Sequence, residues 1–130
     1  MQSKYFKLSE FQCKCGKCKM PNGMPPQELI DILDELREHF GPVRINSGYR
    51  CPEHNAKIGG AKSSRHTFGD AVDITVAGVK TLDIYNYLIA KYDSKPYGIA
   101  KKISQNPYAG FVHFDISGKR RRWNYPGSIM

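Results

Sequence analysis

The stretch 63-SSRHTFGDAVDITV-76 sets one histidine and two aspartates within fourteen residues, and its second half alternates apolar and polar residues as a β-strand does. His66 falls in a loop and Asp73 inside the strand that follows. A separation of seven residues lets the chain fold back and put both side chains on one metal ion. These residues alone read equally well as a polar turn feeding an ordinary strand. The choice depends on what the rest of the chain brings to them.

Working outward, the pattern alternates between helical and extended periods. Before the quoted stretch, Leu29, Ile30, Leu33, Leu36 and Phe40 recur at spacings of three and four, between Pro25-Pro26 and Gly41-Pro42, which predicts an amphipathic helix over about 26–39. VRINS (43–47) is a strand ending at Gly48, and CPEHNAK starts a short helix that Gly59-Gly60 interrupts. After AVDITV (71–76), Leu82, Tyr85, Leu88 and Ile89 predict a second long helix from Thr81 to Tyr92, capped by Thr81. YGIAKKI (97–103) and GFVHFDIS (110–117) are the third and fourth strands. The order predicts one α+β domain over 1–130, with a small, mainly antiparallel sheet and helices packed on one side. Residues 1–25 form an irregular Cys-rich lead-in and residues 118–130 a basic C-terminal segment.

A chain of 130 residues suits a single core, and its 40% hydrophobic content marks a globular protein. No apolar run approaches the roughly 20 residues of a membrane span, and the start MQSKYFKLSEF lacks the apolar core of a secretory signal. The expectation is synthesis in the cytoplasm, with release by another route if the protein works outside, and a monomer. The formal charge of +8 favours polyanionic partners, nucleic acid or the phosphate polymers of a cell wall, although basic runs such as KCGKCK (14–19) and GKRRRW (118–123) are most often solvated faces.

Cys13, Cys15, Cys18 and Cys51 match the number of thiolates in a structural zinc site, and would equally make two disulfides in an oxidising compartment. Cys13 and Cys15, one residue apart on an extended chain, would point the same way and would not readily serve one site. No histidine is placed locally to make any of them a nucleophile.

Among the histidines, His39 sits where it complements a helix C-terminus, and His54 lies on the short helix with either orientation open. His113 lies in FVHFD, where it shares a strand face with Asp115, opposite Val112 and Phe114. It is a third candidate ligand from a separate strand.

Taken together, SGYRCPEHN (47–55), IGGAKSSRHTFGDAVDITV (58–76) and GFVHFD (110–115) resemble the zinc D-alanyl-D-alanine carboxypeptidase family of peptidoglycan peptidases. That family includes phage endolysins and vancomycin-resistance dipeptidases, and shares its metal-site fold with the Hedgehog signalling domain. The resemblance runs from about Leu8 to Trp123, with Ser64, His66, Gly69, Ala71 and Asp73 meeting the pattern residue by residue. It implies one active-site Zn2+ on His66, Asp73 and His113, and Arg50 gripping a carboxylate of a peptidoglycan peptide. Ser64 would orient its loop or touch substrate. It also implies a hydrolase acting on the cell wall, and the lack of a secretory signal leads to the expectation of a phage or prophage lysin or a tail-associated enzyme.

One position departs from the family. Where better-known members carry a Glu or Asp as general base, three residues before the last histidine, this chain has Gly110. The favoured reading is a working enzyme with Asp115 near the metal as the catalytic group that takes the proton; alternatively Asp115 orients His113 while His54 or another group acts, and Asp70 is also near in sequence. Without a base, zinc alone can still generate some hydroxide, which leaves a weak hydrolase or a zinc-dependent binding module. A nucleic-acid protein using CKCGKCK as a zinc knuckle and KRRRW on phosphates would leave the centre of the chain unexplained.

Overall fold

In the computed structural model, which describes all of residues 1–130, helices α1 (Gln27–Phe40), α2 (Pro52–Lys57) and α3 (Thr81–Lys91) accompany five strands. These are β1 (Val43–Ser47), β2 (Ala71–Val76), β3 (Gly98–Ile103), β4 (Gly110–Asp115) and β5 (Arg121–Asn124), in one sheet of order β1-β2-β4-β3-β5. Every neighbouring pair is antiparallel except β3 with β5. The expected α+β class and mainly antiparallel sheet are both present.

Strand alternation divides the sheet into two unlike faces. On one, Val72, Ile74, Val76, Ile99, Val112 and Phe114 join Leu29, Ile30, Leu33 and Leu36 of α1 and Ile84 and Leu88 of α3 in a single buried cluster. Burial of these side chains, each worth about 1.5–3 kcal/mol, is the main force holding the two long helices to the sheet. On the other face, the register sets Asp73 opposite His113 and Ala71 opposite Asp115, with Gly98 and Ala100 of β3 alongside. Polar residues buried on this second face have no packing role to explain them.

β5 is absent from the periodicity reading because RRRW reads as a charge run. It forms as a parallel edge strand, Gly98 beside Arg121 and Ala100 beside Trp123. Arg122 donates to the carbonyls of Tyr92 and Tyr97, and Arg120 to Asp93. Two of the three arginines offered as phosphate contacts are therefore occupied within the fold. The Thr81 cap is also corrected: Lys80 is the N-cap of α3, while Thr81 donates its hydroxyl to the Ala109 carbonyl and its N–H to that of Pro107.

The lead-in is irregular but not loose. Phe6, Phe11, Cys13 and Met20 are buried in the main cluster, Ser3 donates to Asp34 on α1, and the Phe11 carbonyl accepts from Tyr49 N–H at 2.8 Å. Between Cys13 and Cys15 the chain is not extended: Gly16 N–H returns to the Cys13 carbonyl, closing a turn with Gly16 at φ 71°. That turn brings Cys13 and Cys15 to one cluster with Cys18 and Cys51, against the expectation from an extended chain.

Candidate metal centre

His66 sits in a single 3-10 turn, Arg65–Phe68, built by its neighbours. Ser64 Oγ accepts from the His66 N–H at 3.3 Å, and Gly69, at φ 80°, ends the turn with its own N–H on the His66 carbonyl. Only glycine adopts that left-handed conformation without strain, so the turn can close directly into β2. Asp73 and His113 then meet it as a cross-strand pair on β2 and β4.

Asp73 Oδ1 lies 3.1 Å from His66 Nε2 and 3.1 Å from His113 Nδ1. The far nitrogen of each ring decides what these contacts are. His66 Nδ1 is 2.7 Å from the Gly48 carbonyl, which can only accept, so Nδ1 carries the proton and Nε2 presents a lone pair to Asp73. His113 Nε2 is 2.7 Å from Asp115 Oδ2, leaving Nδ1 as the inward atom. Asp115 is a committed acceptor, since its Oδ1 also receives the N–H groups of Gly98 and Ser117, both at 3.1 Å. Burial works to raise its pKa, but the hydrogen bonds from His113 and Ser117 more than offset that, holding it at about 2.

Three acceptors thus converge on one point. A proton on one ring relieves one contact; a divalent cation satisfies all three. Burial opposes ionisation of Asp73, and the two histidines still hold its pKa below the carboxylate range. Burial likewise disfavours a charged His113, while Asp115 and Asp73 raise its pKa. Two imidazole nitrogens and one carboxylate oxygen, all within 4.8 Å of one another, are the donor set of an open tetrahedral zinc site.

Beside His113 opens a depression of about 180 Å³ lined by Ser64, Arg65, Arg121, Trp123 and Tyr125. The Trp123 ring is 5.1 Å from that of His113, and Arg121 reaches to 3.6 Å from Asp115. Burial, then the charge of Asp73, raises the Tyr125 pKa and keeps the phenol protonated. Arg50 donates to Ser64 Oγ at 3.2 Å, and its buried Nε has no partner.

The other candidates go elsewhere. Asp70 is tied to Arg65, and His54 lines the depression over the four cysteines. Gly110 sits on β4 at φ 89°, where an added Cβ would lie 2.0 Å from the Lys102 carbonyl. The sequence signal for Trp123 and Tyr125 as walls of this depression is slight, no more than the alternation R-x-W-x-Y over 121–125. Gly98 was silent too, although a Cβ there would meet the Asp115 carboxylate at 2.3 Å.

The fold and the cluster define a class: an α+β domain with a His-Asp-His donor set, suited to a cation, on the open face of its sheet. Residues 4–115 match the Peptidase M15 family, and the chain belongs to that family. It is 31% identical over 103 residues, 73% of its own length and 52% of the relative's, to the peptidoglycan L,D-endopeptidase MepK of Escherichia coli K12. A shorter match, 39% identical over 44 residues, 32% of this chain and 17% of the relative, is to the zinc D-Ala-D-Ala carboxypeptidase of Streptomyces albus G. The chain spans about half the length of the first of these relatives. The resemblance drawn from SGYR, the S-x-H-x-x-G-x-A-x-D pattern and FVHFD is borne out by this family match.

Proposed function

We propose that the domain is a zinc metallopeptidase that hydrolyses a peptide bond in peptidoglycan stem peptides or cross-links, as a carboxypeptidase or an endolysin-type endopeptidase. The observation that carries this reading is the meeting of three acceptors at Asp73 Oδ1, two of them fixed in tautomer by Gly48 and Asp115. Zinc there would supply Lewis acidity, polarising a carbonyl and making water acidic enough to attack near neutral pH. His66, Asp73 and His113 hold the ion. Arg50, with Ser64 on one edge and an unpaired Nε, fits a carboxylate of the substrate peptide. Tyr125, kept protonated beside Asp73, offers an O–H donor to a developing oxyanion. Of the two roles open to Asp115, we assign it the positioning one, because both its oxygens already accept hydrogen bonds. The substrate class rests on the two relatives and would put the activity at the cell wall. No helix is long and apolar enough to cross a membrane.

A second reading, a zinc-containing module that binds wall peptides without turnover, is favoured by Gly110, whose backbone leaves no room for a base. Incubation of the zinc-loaded protein with purified peptidoglycan separates the two. New amino groups, with muropeptide masses that tell loss of a terminal residue from opening of cross-links, are expected for the peptidase. No new amino groups from protein shown to hold zinc would leave only the module.

A further inference from the structure

A second cluster of ligand atoms shares no residue with the first. The sulfurs of Cys13, Cys15, Cys18 and Cys51 lie within 4.8 Å of one another. Cys51 Sγ is 3.8 Å from Cys13 Sγ and 3.9 Å from Cys15 Sγ, and Cys15 Sγ is 3.3 Å from Cys18 Sγ. A tetrahedron with metal–sulfur distances of about 2.3 Å has edges of about 3.8 Å, so these spacings bracket a zinc tetrathiolate. A disulfide gives each sulfur one partner at about 2.05 Å. Cys51, nearly equidistant from two sulfurs, suits a shared centre better than a pairwise bond.

The surroundings fit thiolates. Backbone N–H groups of Lys17, Cys51 and His54 point at the sulfurs of Cys15, Cys13 and Cys51, each at 3.4 Å. Four thiolates around Zn2+ leave a net charge of −2, and Lys14, Lys17 and Lys57 line the depression over the cluster. We propose that Cys13, Cys15, Cys18 and Cys51 bind one zinc ion as a closed structural site. Binding displaces the remaining thiol protons to solvent and changes no oxidation state. The ion clamps the lead-in onto the segment that serves the other centre: Cys51 follows Arg50, Arg50 N–H donates to the His66 carbonyl at 3.0 Å, and the Gly48 carbonyl holds His66 Nδ1.

The test is metal analysis of the full chain and of its His66→Ala variant, purified without chelator, with thiols counted after denaturation in chelator and no reductant. About two zinc ions per chain are expected, falling to about one in the variant, with all four thiols free. Cobalt loaded into the variant should give a near-ultraviolet thiolate-to-metal charge-transfer band. Cys18→Ser should remove the band, but the result from His66→Ala stands even if that variant does not fold. A His66→Ala protein that folds without metal, or two disulfides in place of four thiols, overturns the proposal. Neither readout depends on whether the domain is a peptidase.

Discussion

His66, Asp73 and His113 are held by sheet register and a one-turn helix, whereas Cys13, Cys15, Cys18 and Cys51 come from a lead-in with only turns to shape it and from the residue before α2. The first cluster supplies three ligand atoms on the face of a sheet, beside a depression where a substrate can reach. The second supplies four, enough to close a tetrahedron. An open set suits chemistry and a closed set suits folding. Its supports differ likewise. Each histidine is fixed by an acceptor on its far nitrogen, while the thiols receive backbone N–H groups, Lys17 to Cys15 and His54 to Cys51 locally and Cys51 to Cys13 across two segments. The molecule thus pairs a three-donor set fixed by strand register with a four-thiol set gathered by turns.

The strongest way to break this contrast is His66→Ala. It removes one ligand of the open site, and loss of several kcal/mol of electrostatic stabilisation should cut peptidoglycan hydrolysis at least about a thousandfold. The thermal midpoint should change little beyond the effect of the missing zinc. Muropeptide release and calorimetry on the same preparation give both numbers, and comparable activity in the variant would remove the His-Asp-His centre from the mechanism. Asp115→Asn is milder. The amide keeps one acceptor toward Gly98 and Ser117 but presents no full charge to His113 Nε2, so zinc affinity or turnover should fall about 10–100-fold. Affinity measured by competition with a chromophoric chelator reads this directly. If zinc is retained and turnover alone disappears, Asp115 is the base and not the positioning group.

Gly98→Ala tests how tightly the open site depends on its sheet. The new methyl would lie 2.3 Å from Asp115 Oδ2, so β3 or the carboxylate must move, at a cost of about 1–3 kcal/mol, measurable as a lower denaturation midpoint. His113 should lose its fixed tautomer with it, while the thiol cluster, on other elements, should keep its metal. This dependence shows what the sequence could reveal. AVDITV and FVHFD announced their strands and their polar face through alternation, so Asp73, His113 and Asp115 were legible as candidates, and His66 by its seven-residue spacing from Asp73. Gly98 and the Gly48 carbonyl were not, because a missing side chain and a backbone oxygen leave no pattern of residue types. The Cys13–Cys15 turn was misjudged for a similar reason: only the return of Gly16 N–H to the Cys13 carbonyl, a local bond, decides that the chain is not extended. β5 was masked by the charge of its arginines, of which Arg122 is absorbed by the carbonyls of Tyr92 and Tyr97 that only the fold brings near.

The smallest expected effect comes from a place outside both clusters, the packing of α1 against the sheet. Burial, and then the hydrogen bond to Glu28, push the pKa of Tyr97 up to about 12. The unfolded phenol titrates near 10, so the folded state holds this proton more tightly. Stability from Tyr97 is fully present below about pH 10 and is lost as pH rises toward 12. Tyr97→Phe should therefore cost about 1 kcal/mol near neutral pH, from the lost hydrogen bond, and should flatten the alkaline fall in denaturation midpoint. The slope should not vanish, since burial also places Tyr92 at about 12. Zinc content near neutral pH should be the same in variant and parent, because Tyr97 touches neither set of ligands. An unchanged alkaline slope would mean that α1 does not protect the Tyr97 phenol, and a changed zinc content would mean that the back of the sheet and the ligand face are coupled rather than merely joined.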